Sequence, residues 1–261
     1  VPAYGKVSTG PGIWEQRIFS GIVLLARGEQ RLAVSLHIRP DRGAALVASA
    51  PKEQEKIALD FACGVQRVMR AKNIYRGAKL QFGGRIRFLD LPAKGWDDIS
   101  LPLEVKSEVM AHSVDFLRHA AAFRELGIAP RRGILLTGRP GTGKTLICKV
   151  LMNTSPGITC ISTHSSGLEH PMYIAEIFDL AKDLSPSIVF LEDIDLIGQG
   201  RLESGYSRGE SLAELLFALD GVEECHNVVT IATTNWLDIL DEALKDRPSR
   251  FDRVINVDPP D

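Results

Sequence analysis

The sequence predicts an α/β domain with a parallel sheet covered by helices on both faces, preceded by a small α+β module. From residue 133 onward, short apolar runs of strand type alternate with stretches of helical periodicity, the pattern of strands joined by helical crossovers. Before residue 90, strand patterns surround one helical stretch, and residues 91–95 have the composition of a linker. We therefore expect two domains, residues 1–90 and residues 91–261, which the chain length allows.

The first module is predicted from local patterns. Residues 18–25 are nearly continuously apolar, and residues 32–38 alternate apolar and polar side chains as a half-buried strand does. Residues 44–50 and 85–88 indicate further strands, and apolar residues from Ile57 to Met69 recur at helical spacing. These residues contain no catalytic constellation.

The larger domain begins with helical spacing from Val105 to Ala121. We expect strands at residues 133–137, 158–162, 187–191, 228–232 and 254–257, and helices at residues 144–152, 173–184 and 210–219. Ligands of such a sheet bind at the carboxyl ends of its strands. Polar residues that follow the predicted strands are therefore candidate site residues.

Residues 138–145 read GRPGTGKT, a complete G-x-x-x-x-G-K-[ST] run between a predicted strand and a predicted helix. Glycines let the backbone wrap around a phosphate with its N–H groups pointing inward at a helix N-terminus. Lys144 can then reach the β- and γ-phosphates, and the Thr145 hydroxyl can ligate Mg²⁺. The sequence thus predicts a P-loop that binds a nucleoside triphosphate. Its expected binding residues are Pro140, Gly141, Thr142, Gly143, Lys144, Thr145 and Leu146.

Two carboxylates, Glu192 and Asp193, directly follow the apolar strand at residues 187–191. At the carboxyl end of that strand they would meet the P-loop. One carboxylate can hold Mg²⁺, directly or through water, while its neighbour orients or activates the attacking water. We predict that Glu192 and Thr145 are the metal ligands.

Two later stretches add candidate catalytic groups. Residues 228–235 form a strand pattern that ends in Asn235, whose amide could hydrogen-bond the nucleophilic water or the γ-phosphate. Residues 247–253 read RPSRFDR and contain Arg247 and Arg250. A guanidinium supplied to a transferring phosphoryl group can raise kcat by roughly 10³–10⁵.

The order of these motifs resembles the AAA family of ring-forming ATPases over about residues 95–261. Residues 96–99 (WDDI) look like the family's opening segment, whose backbone, here at Asp98 and Ile99, contacts the adenine. Residues 126–136, 215–221 and 240–253 are similar to the lead-in to Walker A, the helix before sensor 1 and the second region of homology. The Glu-Asp order of the Walker B pair is like that of the branch containing the mitochondrial complex III assembly ATPase.

This resemblance implies ATP and Mg²⁺ as cofactors, ATP hydrolysis as the reaction, and a ring, usually a homo-hexamer. By motif, the residues implied are Lys144 and Thr145 for Walker A, Glu192 and Asp193 for Walker B, and Asn235 for sensor 1. Arg250, and after it Arg247, would act as an arginine finger on the ATP of a neighbouring subunit. The implied function is chaperone-like: the ring would remodel, unfold or disassemble a protein client recruited by residues 1–90.

The sequence departs from the family pattern at three places. Walker B usually reads Asp-Glu, and Asp193 reaches about 1.5 Å less than a glutamate would, so slow turnover is one expectation. Residues 165–170 lack the aromatic of a polypeptide-threading loop. The chain ends at residues 259–261, where the family's helical lid would begin, so we expect the lid to be absent from this chain.

Composition narrows the classes of partner. Lys+Arg 31 against Asp+Glu 33 gives a formal charge of -2, which does not favour nucleic acid. The four cysteines are scattered without a C-x-x-C pair, so we expect free thiols in a reducing, cytoplasmic compartment. No apolar run approaches the roughly 18 residues of a membrane span, so we expect no membrane segment in this chain.

Three other functions remain open from the residues alone. A nucleotide-gated assembly scaffold with little or no hydrolysis would fit the Glu192-Asp193 order and the missing pore aromatic. A DNA-acting clamp loader or initiator would need a basic and aromatic stripe that the sequence lacks. A small-molecule kinase would leave Asn235 and the paired arginines unexplained.

Overall fold

A computed structural model describes residues 2–39, 43–127, 131–164, 168, 171–196, 215, 227–235 and 251–259. The chain divides into two compact units, Val1–Ile74 and Tyr75–Asp261. In the part of the chain so described, no helix is long and apolar enough to cross a membrane.

The first unit is an antiparallel meander of four strands followed by a helix. Its elements are β1 (Ala3–Gly10), β2 (Ile13–Arg27), β3 (Gln30–Arg39), β4 (Gly43–Ser49), a 3₁₀ turn (Lys52–Gln54) and helix α1 (Glu55–Ala71). Gly12 and Gly28 have positive φ angles in the tight turns on either side of β2, a conformation that favours glycine. The three strands predicted within residues 18–50 and the helix are confirmed, whereas β1 is an additional strand.

The second unit is built on a seven-stranded sheet in the order β11-β7-β10-β9-β8-β5-β6. Its strands are β5 (Lys79–Phe82), β6 (Ile86–Phe88), β7 (Arg131–Thr137), β8 (Thr159–His164), β9 (Ser187–Glu192), β10 (Val228–Thr234) and β11 (Arg253–Asn256). All neighbours are parallel except β5 and β6. The five strands predicted from residue 133 onward are therefore confirmed.

The helices of the second unit lie between these strands in the chain. They are α2 (Leu103–Met110), a π-helical turn (Ala111–Asp115), α3 (Phe116–Arg118), α4 (Ala120–Glu125), α5 (Lys144–Asn153) and α6 (Pro171–Asp183), with 3₁₀ turns at Trp96–Asp98 and Ile194–Leu196. Helices α5 and α6 confirm two predictions. The predicted helix at residues 210–219 lies outside the described residues, apart from the buried Leu215.

Alternate residues of the central strands pack into two separate cores. Ile188 and Phe190 of β9 contribute to a cluster that contains Ile147 of α5, whereas Val189 and Leu191 contribute to a cluster that contains Ile174 of α6. Successive side chains of a strand point to opposite faces. The sheet is thus covered on both faces, which confirms the predicted α/β fold class.

The predicted domain boundary at residue 90 needs correction. The strand expected in the first module at residues 85–88 is β6, and with β5 it extends the sheet of the second unit. Strand β5 pairs in parallel with β8, and its Leu80 and Phe82 are buried in the second unit's core. The boundary falls between Ile74 and Tyr75. Periodicity identifies a strand but does not say which sheet completes its hydrogen bonds.

Candidate functional site

The P-loop connects the carboxyl end of β7 to the first residue of α5, and β7 lies between β10 and β11. Gly138 has a φ of +154°, and a Cβ there would lie 2.3 Å from the Val257 carbonyl oxygen, so only glycine fits. Gly141 and Gly143 also have positive φ angles, and the space beside them is open. The open space at these two glycines leaves the loop backbone accessible to a ligand.

A cavity of about 420 Å³ opens at this loop. Its lining residues come from the P-loop and α5 on one side and from the ends of β9 and β10 on the other: Pro140, Gly141, Gly143, Lys144, Thr145, Leu146, Lys149, Asp193 and Asn235. The structure therefore brings together most of the predicted residues. Thr142 lies in the same loop without lining the cavity, and its hydroxyl donates to the Arg139 carbonyl at 3.0 Å.

Lys144 is held over the loop from which it comes. Its Nζ donates to the carbonyl oxygens of Gly138 at 2.7 Å and Arg139 at 3.0 Å. Burial lowers the pKa of Lys144, while the charges of Asp193 and Asp195 act to raise it. A buried ammonium beside open backbone N–H groups at a helix N-terminus is a donor set that fits a nucleotide phosphate chain.

The two Walker B carboxylates lie in different surroundings. Glu192 is buried at the end of β9, where its Oε1 accepts a hydrogen bond from the Ser162 hydroxyl at 2.9 Å and its Oε2 lies 3.8 Å from His164 Nδ1. Asp193, the next residue, lines the cavity. Both charges contribute to raising the pKa of the buried Cys148 of α5, after burial itself. The strand end thus presents a short carboxylate to the cavity and keeps the longer one fastened to β8.

Hydrogen bonds connect the turn after β9 with the end of β10. The Asp193 N–H donates to the Thr233 hydroxyl oxygen at 2.9 Å, and the Asn235 N–H donates to Asp195 Oδ1 at 3.1 Å. Thr233, Asp195 and Lys149 belong to this site without having been predicted from the sequence. Their positions could have identified them, because Thr233 and Asp195 are polar residues near strand ends and Lys149 lies one helical turn after the P-loop.

The segment predicted to contact the adenine is fastened to the end of α5. Trp96 Nε1 donates to the Thr154 hydroxyl at 3.0 Å, and the Gly95 N–H donates to the Asp98 carboxylate at 2.6 Å. Neither Asp98 nor Ile99 is among the residues lining the cavity. Their contact with an adenine stays a prediction.

The arginine segment is described only at its end. Arg247 and Arg250 lie outside the described residues, as does most of the predicted pore region at residues 165–170. The Asp252 carboxylate accepts the Gly133 N–H at 2.7 Å, and Arg253 pairs with Glu108 of α2, which lowers the pKa of Glu108. The segment is therefore anchored to β7 and α2 directly after Arg250.

The region that contains this site is similar in sequence to a known protein family. Residues 134–259 match the family model described as "ATPase family associated with various cellular activities (AAA)". The match covers the second half of β7, strands β8 to β11, the P-loop, both Walker B residues and Asn235. The chain carries an AAA ATPase domain. Domains of this family use ATP with Mg²⁺, and the donor set around Lys144 and the Thr145 hydroxyl fit those ligands.

Curated relatives share the AAA domain within longer chains. An "ATP-dependent zinc metalloprotease FtsH 2" from Sphaerobacter thermophilus is 42% identical over 175 residues, covering 64% of this chain and 26% of the relative. A "Proteasome-activating nucleotidase" from Saccharolobus solfataricus is 42% identical over 155 residues, covering 56% and 39%. One from Methanospirillum hungatei is 38% identical over 186 residues, covering 67% and 45%. The chain therefore spans less than half the length of these relatives.

Proposed function

We propose that this protein hydrolyses ATP to ADP and phosphate with Mg²⁺ and, as a ring oligomer, uses turnover to remodel, unfold or disassemble a protein client. The observation that carries the chemical part is the cavity between the P-loop and the ends of β9 and β10. It has phosphate-binding groups on one wall, and on the other a carboxylate, Asp193, and a neutral amide, Asn235.

Each group has one task in the proposed reaction. Lys144 and the backbone N–H groups of Gly141 and Gly143 hold the phosphates. Thr145 would hold Mg²⁺ directly, and Glu192, which does not line the cavity, would hold it through water. The metal, when bound, neutralises charge on the β- and γ-phosphate oxygens. Asn235 orients a water, and Asp193 takes its proton as the water oxygen bonds to the γ-phosphorus and the bond to the bridging oxygen breaks.

The proposed ring rests on the arginine segment. Arg250, or secondarily Arg247, would stabilise the charge on the transferring phosphoryl group of a neighbouring subunit, so the site would be complete only in an oligomer such as a homo-hexamer. The assignment rests on the position of these two arginines in the RPSRFDR segment at residues 247–253.

A protein client is supported by the relatives and by the first unit. The matched relatives are by name a protease and a proteasome-activating nucleotidase, and the formal charge of -2 does not favour nucleic acid. The first unit exposes large apolar side chains, including Trp14, Ile22 and Leu24, which suit it to bind another protein.

A second candidate is a nucleotide-gated assembly scaffold with little hydrolysis. The short side chain of Asp193 favours it, because the residue in the base position reaches less far than a glutamate would. Tyr173 does not supply the missing pore aromatic, since it lies in α6 and packs edge-on against Phe82 at 5.9 Å.

The deciding experiment compares steady-state ATP hydrolysis and oligomeric mass for the wild type, Asp193→Asn and Arg250→Ala. Asp179→Asn is the matched control, because Asp179 is an exposed acidic residue of α6. We expect turnover and an ATP-dependent ring in the wild type and the control, and loss of turnover in both site variants. A ring that forms with ATP without appreciable wild-type turnover, and that Asp193→Asn leaves unchanged, would overturn the motor function in favour of the scaffold.

A further inference from the structure

Asp193 has an unusual backbone conformation for its residue type. Its φ of +55° lies in the left-handed region, which non-glycine residues seldom adopt; among the described residues Asn227 is the other such case. Asparagine and aspartate tolerate this region better than other side chains, but it persists in a fold only where the surroundings hold it.

The contact that holds this turn comes from the neighbouring strand. The Asp193 N–H donates to Thr233 Oγ1 at 2.9 Å, and Thr233 is a buried residue of β10. Strands β9 and β10 are paired in parallel up to Leu191 and Ala232. Thr233 lies one residue beyond this last pair on β10, and Asp193 lies two residues beyond it after β9. The Thr233 side chain therefore takes over where the backbone ladder between these strands ends.

A second hydrogen bond runs in the opposite direction. The Asn235 N–H donates to the Asp195 carboxylate at 3.1 Å, and Asp195 is buried in the turn after β9. Each of the two cavity-lining residues, Asp193 and Asn235, is thus fastened through its own backbone to a side chain from the other strand. These two bonds link Asp193 and Asn235 on the same wall of the cavity.

We propose that Thr233 is a positioning residue for ATP hydrolysis, acting through the backbone of Asp193; this inference rests on the proposed function. Asp193 is one methylene shorter than a glutamate, so its carboxylate has little side-chain length with which to correct a displaced backbone. The hydroxyl of Thr233 holds that backbone in place, although Thr233 does not itself line the cavity. A hydrogen bond to this amide requires an oxygen at position 233, not the methyl group.

Displacement of the Asp193 backbone should slow the chemical step and leave nucleotide binding unchanged. A misplacement of about 1 Å in a reacting group can cost up to about 10²-fold in rate. We expect Thr233→Val to lower kcat by about tenfold or more while KM for ATP changes by less than about twofold, because phosphate binding belongs to the P-loop. Thr233→Ser, which keeps the hydroxyl, should retain most of the wild-type kcat.

The test uses the full chain and two independent measurements. Steady-state kinetics are compared for wild type, Thr233→Val, Thr233→Ser and the control Thr230→Val, which replaces a buried threonine earlier on β10. Amide hydrogen exchange at Asp193 is measured without nucleotide, resolved to the single residue. We expect protection in wild type and in Thr233→Ser, and faster exchange in Thr233→Val.

The outcomes separate this inference from the proposed function. A wild type without turnover overturns the proposed function. A wild type that turns over while Thr233→Val does so equally fast, or while the serine variant is as slow as the valine variant, overturns the positioning role alone. Rapid exchange of the Asp193 amide in the wild type overturns the tether without any variant, so failure of a variant to fold leaves the inference testable.

Discussion

The two units of the chain treat apolar side chains in opposite ways. In the second unit, the central strands are buried on both faces, and residues such as Phe190 have no exposed surface. In the first unit, Leu32 and Val34 are the only buried hydrophobic side chains among the described residues, and each is still 8% exposed, while Ile22 and Leu24 are 64% and 80% exposed. The second unit has the packed core that a precise site requires, and the first keeps apolar surface available for binding.

The comparison predicts a large difference in stability loss between truncating a buried apolar side chain of the second unit and an exposed one of the first. Phe190→Ala should destabilise the second unit by about 3–5 kcal/mol, because it empties a fully buried position in the core cluster that β9 shares with α5. Leu24→Ala should change stability by less than about 0.5 kcal/mol, since its side chain is mostly exposed. Denaturant unfolding of both variants measures this difference, and equal losses would contradict the contrast drawn between the units.

The two units should also differ in the rate at which their thiols react. Burial raises the pKa of Cys160 to about 11 and that of Cys148 well above its usual value, whereas Cys63 of α1 is exposed. In a Cys225→Ser background at pH 8, Cys63 should react with a disulfide reagent at least about 10²-fold faster than the other two. Fast modification of all three thiols in the native protein would show that the second unit opens readily. A Cys63→Ser variant is the control, and it should lose the fast phase.

Nucleotide binding should stabilise one unit selectively. At ATP concentrations ten times the Kd, the second unit should gain about 1.4 kcal/mol, because ligand bound to the native state shifts its unfolding equilibrium. The first unit contributes no residue to the cavity, so its own amide exchange should not change. Exchange measured with and without ATP tests this, and Lys144→Ala should abolish the gain. Protection that spreads into β1–β4 would contradict the separation.

The smallest expected effect is a pH dependence of binding. Burial lowers the pKa of Lys144 in the folded protein below its ordinary 10.5. At pH values between the lowered pKa and 10.5, the unfolded chain binds more protons than the folded one, so the free energy of unfolding rises with pH. Phosphate favours the charged lysine, so ATP binding in this window should take up a fraction of a proton. Calorimetry in two buffers of different ionisation enthalpy measures the uptake. Any ATP binding that Lys144→Arg retains should occur without proton uptake. Identical uptake in that variant would exclude Lys144 as the group that takes up the proton.

Much of the second unit could be predicted because its signals are local. The glycine spacing of residues 138–145 specifies a loop that only glycines can follow, as the close approach of Gly138 to Val257 shows. Five apolar runs specify five strands, since strands buried on both faces are continuously hydrophobic. The first unit was predicted less well: β1 was missed because its glycines and polar residues give it no apolar alternation.

The sequence by itself determined which chemistry this protein carries: a phosphate-binding loop, a pair of carboxylates and an amide, each at the end of an apolar run. The tertiary structure decided which of these groups meet. It placed β5 and β6 in the second sheet, turned Asp193 toward the cavity while Glu192 is bonded to Ser162, and brought Thr233 to the Asp193 amide. These contacts join residues 30 to 40 positions apart in the chain. They depend on strand order and register, which a local pattern does not encode because every strand end offers similar polar groups.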